Sequence, residues 1–177
     1  MTPEFSRPHR LDRIGAGESD VHVAAQGEEL KAIARRFGLP AVEKLEASYR
    51  LRREALGVLA RGHLSAQVTQ SCVATGVPLP ARIEEDFAIR FLPEPGADDA
   101  PEEVELDESE CDTVFYSGNA IDLGEAAAET LALALDPFPR SPDAEDALKQ
   151  AGVLGEGEVG PFSGLAALKD RLTKGQG

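Results

Sequence analysis

Between Lys44 and Phe91 the hydrophobic period of the chain is two, and it holds across three consecutive runs. In the first, Leu45, Ala47, Tyr49 and Leu51 alternate with Glu46, Ser48, Arg50 and Arg52. After a break at Glu54–Gly57, Leu64, Ala66, Val68 and Cys72 alternate with His63, Ser65, Gln67, Thr69 and Ser71. Past a turn at Thr75-Gly76, Phe87, Ile89 and Phe91 alternate with Asp86, Ala88 and Arg90. Successive side chains of a strand point to opposite faces, so each run reads as a half-buried strand. Links this short join strands as antiparallel neighbours. The expectation is a meander with one face on the core and one in water.

Helical spacing appears on both sides of the meander. In Glu28–Phe37, Leu30, Ile33, Ala34 and Phe37 share a stripe, and Gly38 and Pro40 stop the helix. Asp122 is placed to cap Leu123–Leu135, with Glu125 at the third position to complete a capping box. That helix is apolar nearly all round and should be buried between layers. Ser141 and Pro142 then predict the start of a second helix that runs to about Ala151. A Gly/Glu-rich linker leads to Pro161–Thr173, where Phe162, Leu165, Leu168 and Leu172 form a stripe beside Lys169. Two short extended stretches, Glu4–Leu11 and Asp20–Ala25, precede all of this. The predicted class is α+β: an antiparallel, strongly twisted sheet curling toward a barrel, with one buried helix and peripheral C-terminal helices. The expected organisation is a core domain over 1–140, carrying a mobile acidic insertion at 94–110, and a helical extension over 141–177.

Charge narrows the partners. The formal net charge is −14, yet residues 1–71 carry 11 Lys/Arg against 9 Asp/Glu. Residues 94–110 hold nine acidic side chains and no basic one. Nucleic-acid affinity comes largely from neutralising phosphates, so direct RNA contact would have to use the N-terminal half. A basic protein suits the rest. The N-terminus lacks the apolar core of a secretory signal, and no apolar run approaches the ~20 residues of a membrane span. Two cysteines, Cys72 and Cys111, exclude a disulfide scaffold. The expected location is the cytoplasm, with no membrane association.

No catalytic constellation stands out. Gly15-x-Gly17 lacks the third glycine and preceding strand of a dinucleotide fingerprint and reads as a turn. His63, Cys72 and Cys111 could be recruited to zinc, but structural zinc sites carry paired ligands a few residues apart, and none occurs. Neither a metal nor another cofactor is expected. Cys72, in phase with Leu64, Ala66 and Val68, reads as a small core residue. The candidate contacts are arginines: Arg50, Arg52 and Arg53 on the first strand, with Arg61 on the second, could grip phosphate bidentately. A candidate partner-docking helix is formed by Phe162, Leu165, Leu168 and Lys169.

Several features in order resemble the YceD family of large ribosomal RNA subunit accumulation proteins, in an alphaproteobacterial-like form. They are Gln70-Ser-Cys-Val73 with Pro78, Phe87-x-x-x-Phe91, the acidic insertion, and Ile121-Asp-Leu-Gly-Glu125 with Glu129. Leu131–Leu135, Pro137-x-Pro139 and Pro161-Phe-x-x-Leu165-x-x-Leu168-Lys169 complete the series. Many relatives carry Cys-x-x-Cys at the strand–turn, where this chain has Thr75 in the second position. The resemblance implies a non-enzymatic ribosome biogenesis factor supporting 23S rRNA accumulation. Its expected partners are a basic large-subunit ribosomal protein and rRNA or a pre-ribosomal particle. The alternatives are a nucleic-acid enzyme in rRNA maturation and a small-molecule binding domain with its ligand between sheet and helix.

Overall fold

A computed structural model describes residues 3–95 and 112–153. The three alternating runs become the three longest strands, β3 (Ala41–Arg53), β4 (Val58–Ser71) and β5 (Pro78–Pro93), paired antiparallel in chain order. A shorter β2 (Ser19–Ala24) adds antiparallel to β3. On the far side β6 (Asp112–Tyr116) pairs with β5 in parallel, giving an open sheet of order β2-β3-β4-β5-β6.

This corrects two expectations. The sheet is mixed, because a parallel neighbour needs a connection of a dozen or more residues and 94–111 supplies one. It is also open, with β2 and β6 at its two edges among the described residues, so no barrel closes.

A second, two-stranded sheet pairs β1 (Pro8–Arg10) with β7 (Ala120–Asp122). It anchors the N-terminus at the entry of α2 (Leu123–Ala134). There Asp122 Oδ1 accepts from the backbone of Arg7 at 2.7 Å, Gly124 at 3.0 Å and Glu125 at 3.2 Å, and Oδ2 accepts from the Ser6 hydroxyl at 2.5 Å. The predicted capping box forms only half. The Glu125 side chain turns away to a two-pronged pair with Arg36 of α1 (Glu28–Phe37), at 2.8 and 2.9 Å.

Both longer helices cover the same face of the five-stranded sheet. Tyr49, Leu51, Leu64 and Phe91 from the sheet meet Leu123 and Leu131 of α2, Ile33 of α1 and Phe5, all at most 2% exposed. Burying each such side chain contributes roughly 1.5–3 kcal/mol. At the centre of this layer, the space expected for a ligand between sheet and helix is filled by these side chains.

α3 (Ala144–Gln150) starts later than predicted. Ser141 and Pro142 lie in a turn closed by Ala144 N donating to Ser141 O at 3.0 Å, and Asp143 precedes the helix without a side-chain cap. Ser141 is instead engaged by Cys72. The expected helix Pro161–Thr173, with Phe162, Leu165, Leu168 and Lys169, lies outside the described residues, as do the insertion from residue 96 onward and Cys111.

Candidate functional site

The sheet face turned away from the helices carries the polar half of each alternating run, and the twisted strands make it a groove of about 630 Å³. Strand register decides which side chains meet there. The β3–β4 hairpin sets Arg50 opposite Arg61, and the β4–β5 hairpin sets His63 opposite Asp86. Asp20 of β2 is the register partner of Arg50 on its other side.

Two like charges directly opposite on neighbouring strands are unfavourable unless something else compensates. Arg50 finds partial compensation in Asp20 at 3.5 Å and Glu18 at 3.7 Å, both exposed. Arg52 is held by Glu54 at 2.8 Å. Among the described residues Arg61 forms no ion pair and is exposed. Arg50, Arg52 and Arg61 therefore share the groove, as the sequence suggested.

Arg53 does not. It is in phase with Leu51, so its side chain leaves on the other face and donates to the carbonyl of Leu11 at 3.0 Å. An adjacent residue cannot share a face in an extended strand, and the grouping of four arginines is corrected to three.

His63 occupies the centre of the groove between two carboxylates. Its Nδ1 lies 2.7 Å from Asp86 and its Nε2 2.9 Å from Glu84. The hydrogen bond to Asp86 first, and then that to Glu84, raise the imidazole pKa. Glu84 is pulled down to about 2, chiefly by Arg82 at 2.6 Å and then by His63. With both nitrogens facing carboxylates, the site favours the charged form of His63 over the neutral one.

Cys72 directly follows β4 and is 2% exposed, as its phase predicted. The polar cradle around it was not foreseen. The backbone of Ser141 donates to the sulfur at 3.3 Å, and the Ser141 hydroxyl lies 3.5 Å away. The Ser141 hydroxyl first, then that of Thr75 and the Ser141 amide, hold the thiol down at about 6, against the opposing effect of burial. Cys72, just past the end of β4, keeps the phase of Leu64, Ala66 and Val68 and so is opposite to His63, and the pair cannot join one metal site. Among the described residues no three His, Cys, Asp or Glu side chains gather as a metal-binding group.

Sequence reasoning missed His22, which lines the groove, and the partnership of His63 with Asp86 and Glu84. The two hairpin turns could have revealed it, since each turn fixes a register and with it every cross-strand neighbour. Chemically, the groove offers guanidinium forks and an imidazole among carboxylates that pair with most of them. Guanidinium forks can pair bidentately with phosphate oxygens, and among the described residues of the groove no nucleophile is paired to a free base.

Residues 60–169, more than half of the chain, match the family model described as Large ribosomal RNA subunit accumulation protein YceD. The match takes in β4 from Ala60 onward, β5, β6, β7, α2 and α3, and includes Arg61, His63 and Cys72. No curated protein and no solved structure matches the chain.

Proposed function

The chain belongs to the YceD family of large ribosomal RNA subunit accumulation proteins, and on that premise we propose that it is a non-catalytic factor in ribosome biogenesis. It supports accumulation of 23S rRNA and the large subunit by binding their components. Its acidic surface engages a basic ribosomal protein, since opposite potentials steer encounter and suppress wrong partners. Its groove touches rRNA through Arg50 and Arg61. The working compartment is the cytoplasm, where ribosomes are built; among the described residues no helix is long and apolar enough to cross a membrane.

One observation carries the RNA half of this reading: Arg61 stands opposite Arg50 with no carboxylate of its own among the described residues. A phosphate between the two would relieve their repulsion. The surrounding acids Glu18, Asp20 and Asp86 keep the net field weak, which suits a placed contact better than indiscriminate adhesion to RNA.

The test is a binding titration of 23S rRNA fragments across salt concentrations, with wild type, Arg50→Ala and Arg61→Ala. Each lost phosphate contact should weaken binding and reduce the salt slope by about 1. Unchanged affinity in the double variant would remove RNA from the groove. Cleavage of the fragments that disappears in His63→Ala would convert the reading into the alternative, an rRNA-processing enzyme.

A further inference from the structure

β5 uses its two edges unequally. β4 pairs with it from Pro78 to Phe91, whereas β6 pairs only from Ile89 to Pro93. Among the described residues no strand meets the outer edge between Pro78 and Ala88. Such an edge presents a row of backbone donors and acceptors ready to pair with another chain. Pro78 and Pro80 cannot donate and blunt its beginning, so the receptive part is Ala81–Ala88.

The side chains along that part have a definite character. Glu84, Glu85 and Asp86 are consecutive and exposed, which puts carboxylates on both faces of the edge. Beside it lies a hollow of about 180 Å³ lined by Phe87, Ala88, Asp112, Thr130, Leu133 and Ala134. The first turns of α2 are buried, but Leu133 in its last turn is 77% exposed at the rim of this hollow. Backbone, apolar and charged groups therefore converge on one strip of surface.

We infer that the outer edge of β5 at Ala81–Ala88 takes up an extended, basic segment of a partner polypeptide by strand addition. An apolar side chain of that segment rests on Phe87 and Leu133, and its Lys/Arg side chains meet Glu85 on one face and Asp86 on the other. Main-chain hydrogen bonds supply affinity in this mode, and alternate side chains supply specificity. Charge selects the occupant. A second copy of the chain would lay its acidic edge against this one, and residues 94–110 carry nine acids and no base, so both are repelled. RNA has no peptide N–H and C=O groups to extend the strand ladder, so it does not suit this edge. The partner's charge rests on the function proposed above; the location rests on the open edge alone.

The test uses the isotopically labelled full-length protein, titrated with a synthetic decapeptide of alternating Lys and Val. The expected result is amide shift changes at Ala81–Ala88 and Thr130–Ala134, with slowed exchange of edge amides. A decapeptide of alternating Glu and Val should not bind. Glu85→Lys/Leu133→Ser, two changes at exposed positions, should keep the thermal melt and weaken the basic peptide about tenfold or more. Failure of the basic peptide to bind at millimolar concentration, or shifts confined to the arginine groove, would overturn the inference. So would wild-type affinity in the double variant. A basic large-subunit protein that co-purifies equally with both forms would sink the edge site and leave the ribosomal role standing. Absence of any large-subunit component would sink that role instead.

Discussion

Gly62 of β4 and Phe87 of β5 are register partners, and the ring of Phe87 occupies the space of the side chain that Gly62 lacks. A Cβ on Gly62 would stand 2.6 Å from Phe87 Cζ and 2.1 Å from the backbone oxygen of Ser48. The same ring meets Tyr49 of β3 edge to face at 5.1 Å, so two aromatic side chains close over the glycine. Ring motion could relieve the first contact, but only a shift of β3 could relieve the second. Gly62→Ala is therefore expected to destabilise the sheet by about 3 kcal/mol or more, read as a lower denaturation midpoint. An unchanged midpoint would mean that the strands are further apart than described.

Tyr49 also fixes the helix to the sheet. Its buried hydroxyl donates to the carbonyl of Leu123, the first residue of α2, at 2.7 Å. Burial, with a smaller contribution from Asp122, raises the phenol pKa far above its usual range, so the group remains a donor at all physiological pH. Tyr49→Phe keeps the ring and removes the donor, which should cost about 1–2 kcal/mol and lower Tm by roughly 2–6 °C. The melt of the purified variant decides it.

Much of this was legible in the sequence, for a physical reason. Alternation in β3, β4 and β5 is enforced by one dry face and one wet face, and that signal survives without neighbours. It faded where a local irregularity reverses the phase. Val42 is buried although it is out of step with Leu45, because the β3–β4 register shifts between Val42 and Lys44, and the alternation is legible only after that bulge. The parallel β6 was invisible, since its pairing depends on a long connection and not on its own five residues. Of the candidate site, the phase placed Arg50, Arg52 and Arg61 together and should have excluded Arg53. The cradle of Cys72 required Ser141, 69 positions away, and no local pattern announces such a contact.

The His63 clamp makes stability depend on pH with a definite sign. Its folded pKa is raised, so its contribution is fully present below the unfolded value near 6.5 and is lost as pH rises through the folded value. Glu84, depressed to about 2, contributes above its unfolded value and loses that contribution only in strong acid. Stability from this cluster should therefore be complete between about pH 5 and 6.5 and decline above it. Denaturation midpoints at pH 6 and pH 8 test this. The wild-type decrease should shrink in His63→Gln, and an equal decrease in both would assign it to other groups.

The Cys72 cradle predicts a thiol that is ionised early but difficult to reach. With Cys111→Ser as background, the thiolate absorbance should titrate near 6, and Ser141→Ala should move it upward by removing the hydroxyl that lowers it most. Alkylation by a bulky reagent should remain slow at pH 8, because the sulfur is covered. A titration near 9 in the parent protein would show that burial outweighs the donors.

The most direct measurement of the central claim is a ribosome gradient from cells lacking this protein, complemented with wild type or with Arg50→Ala/Arg61→Ala/Glu85→Lys/Leu133→Ser. The account predicts a deficit of free large subunits and of 23S relative to 16S rRNA, restored by wild type and not by the surface variant at equal protein level. A normal gradient and rRNA ratio in the deletion strain would contradict it.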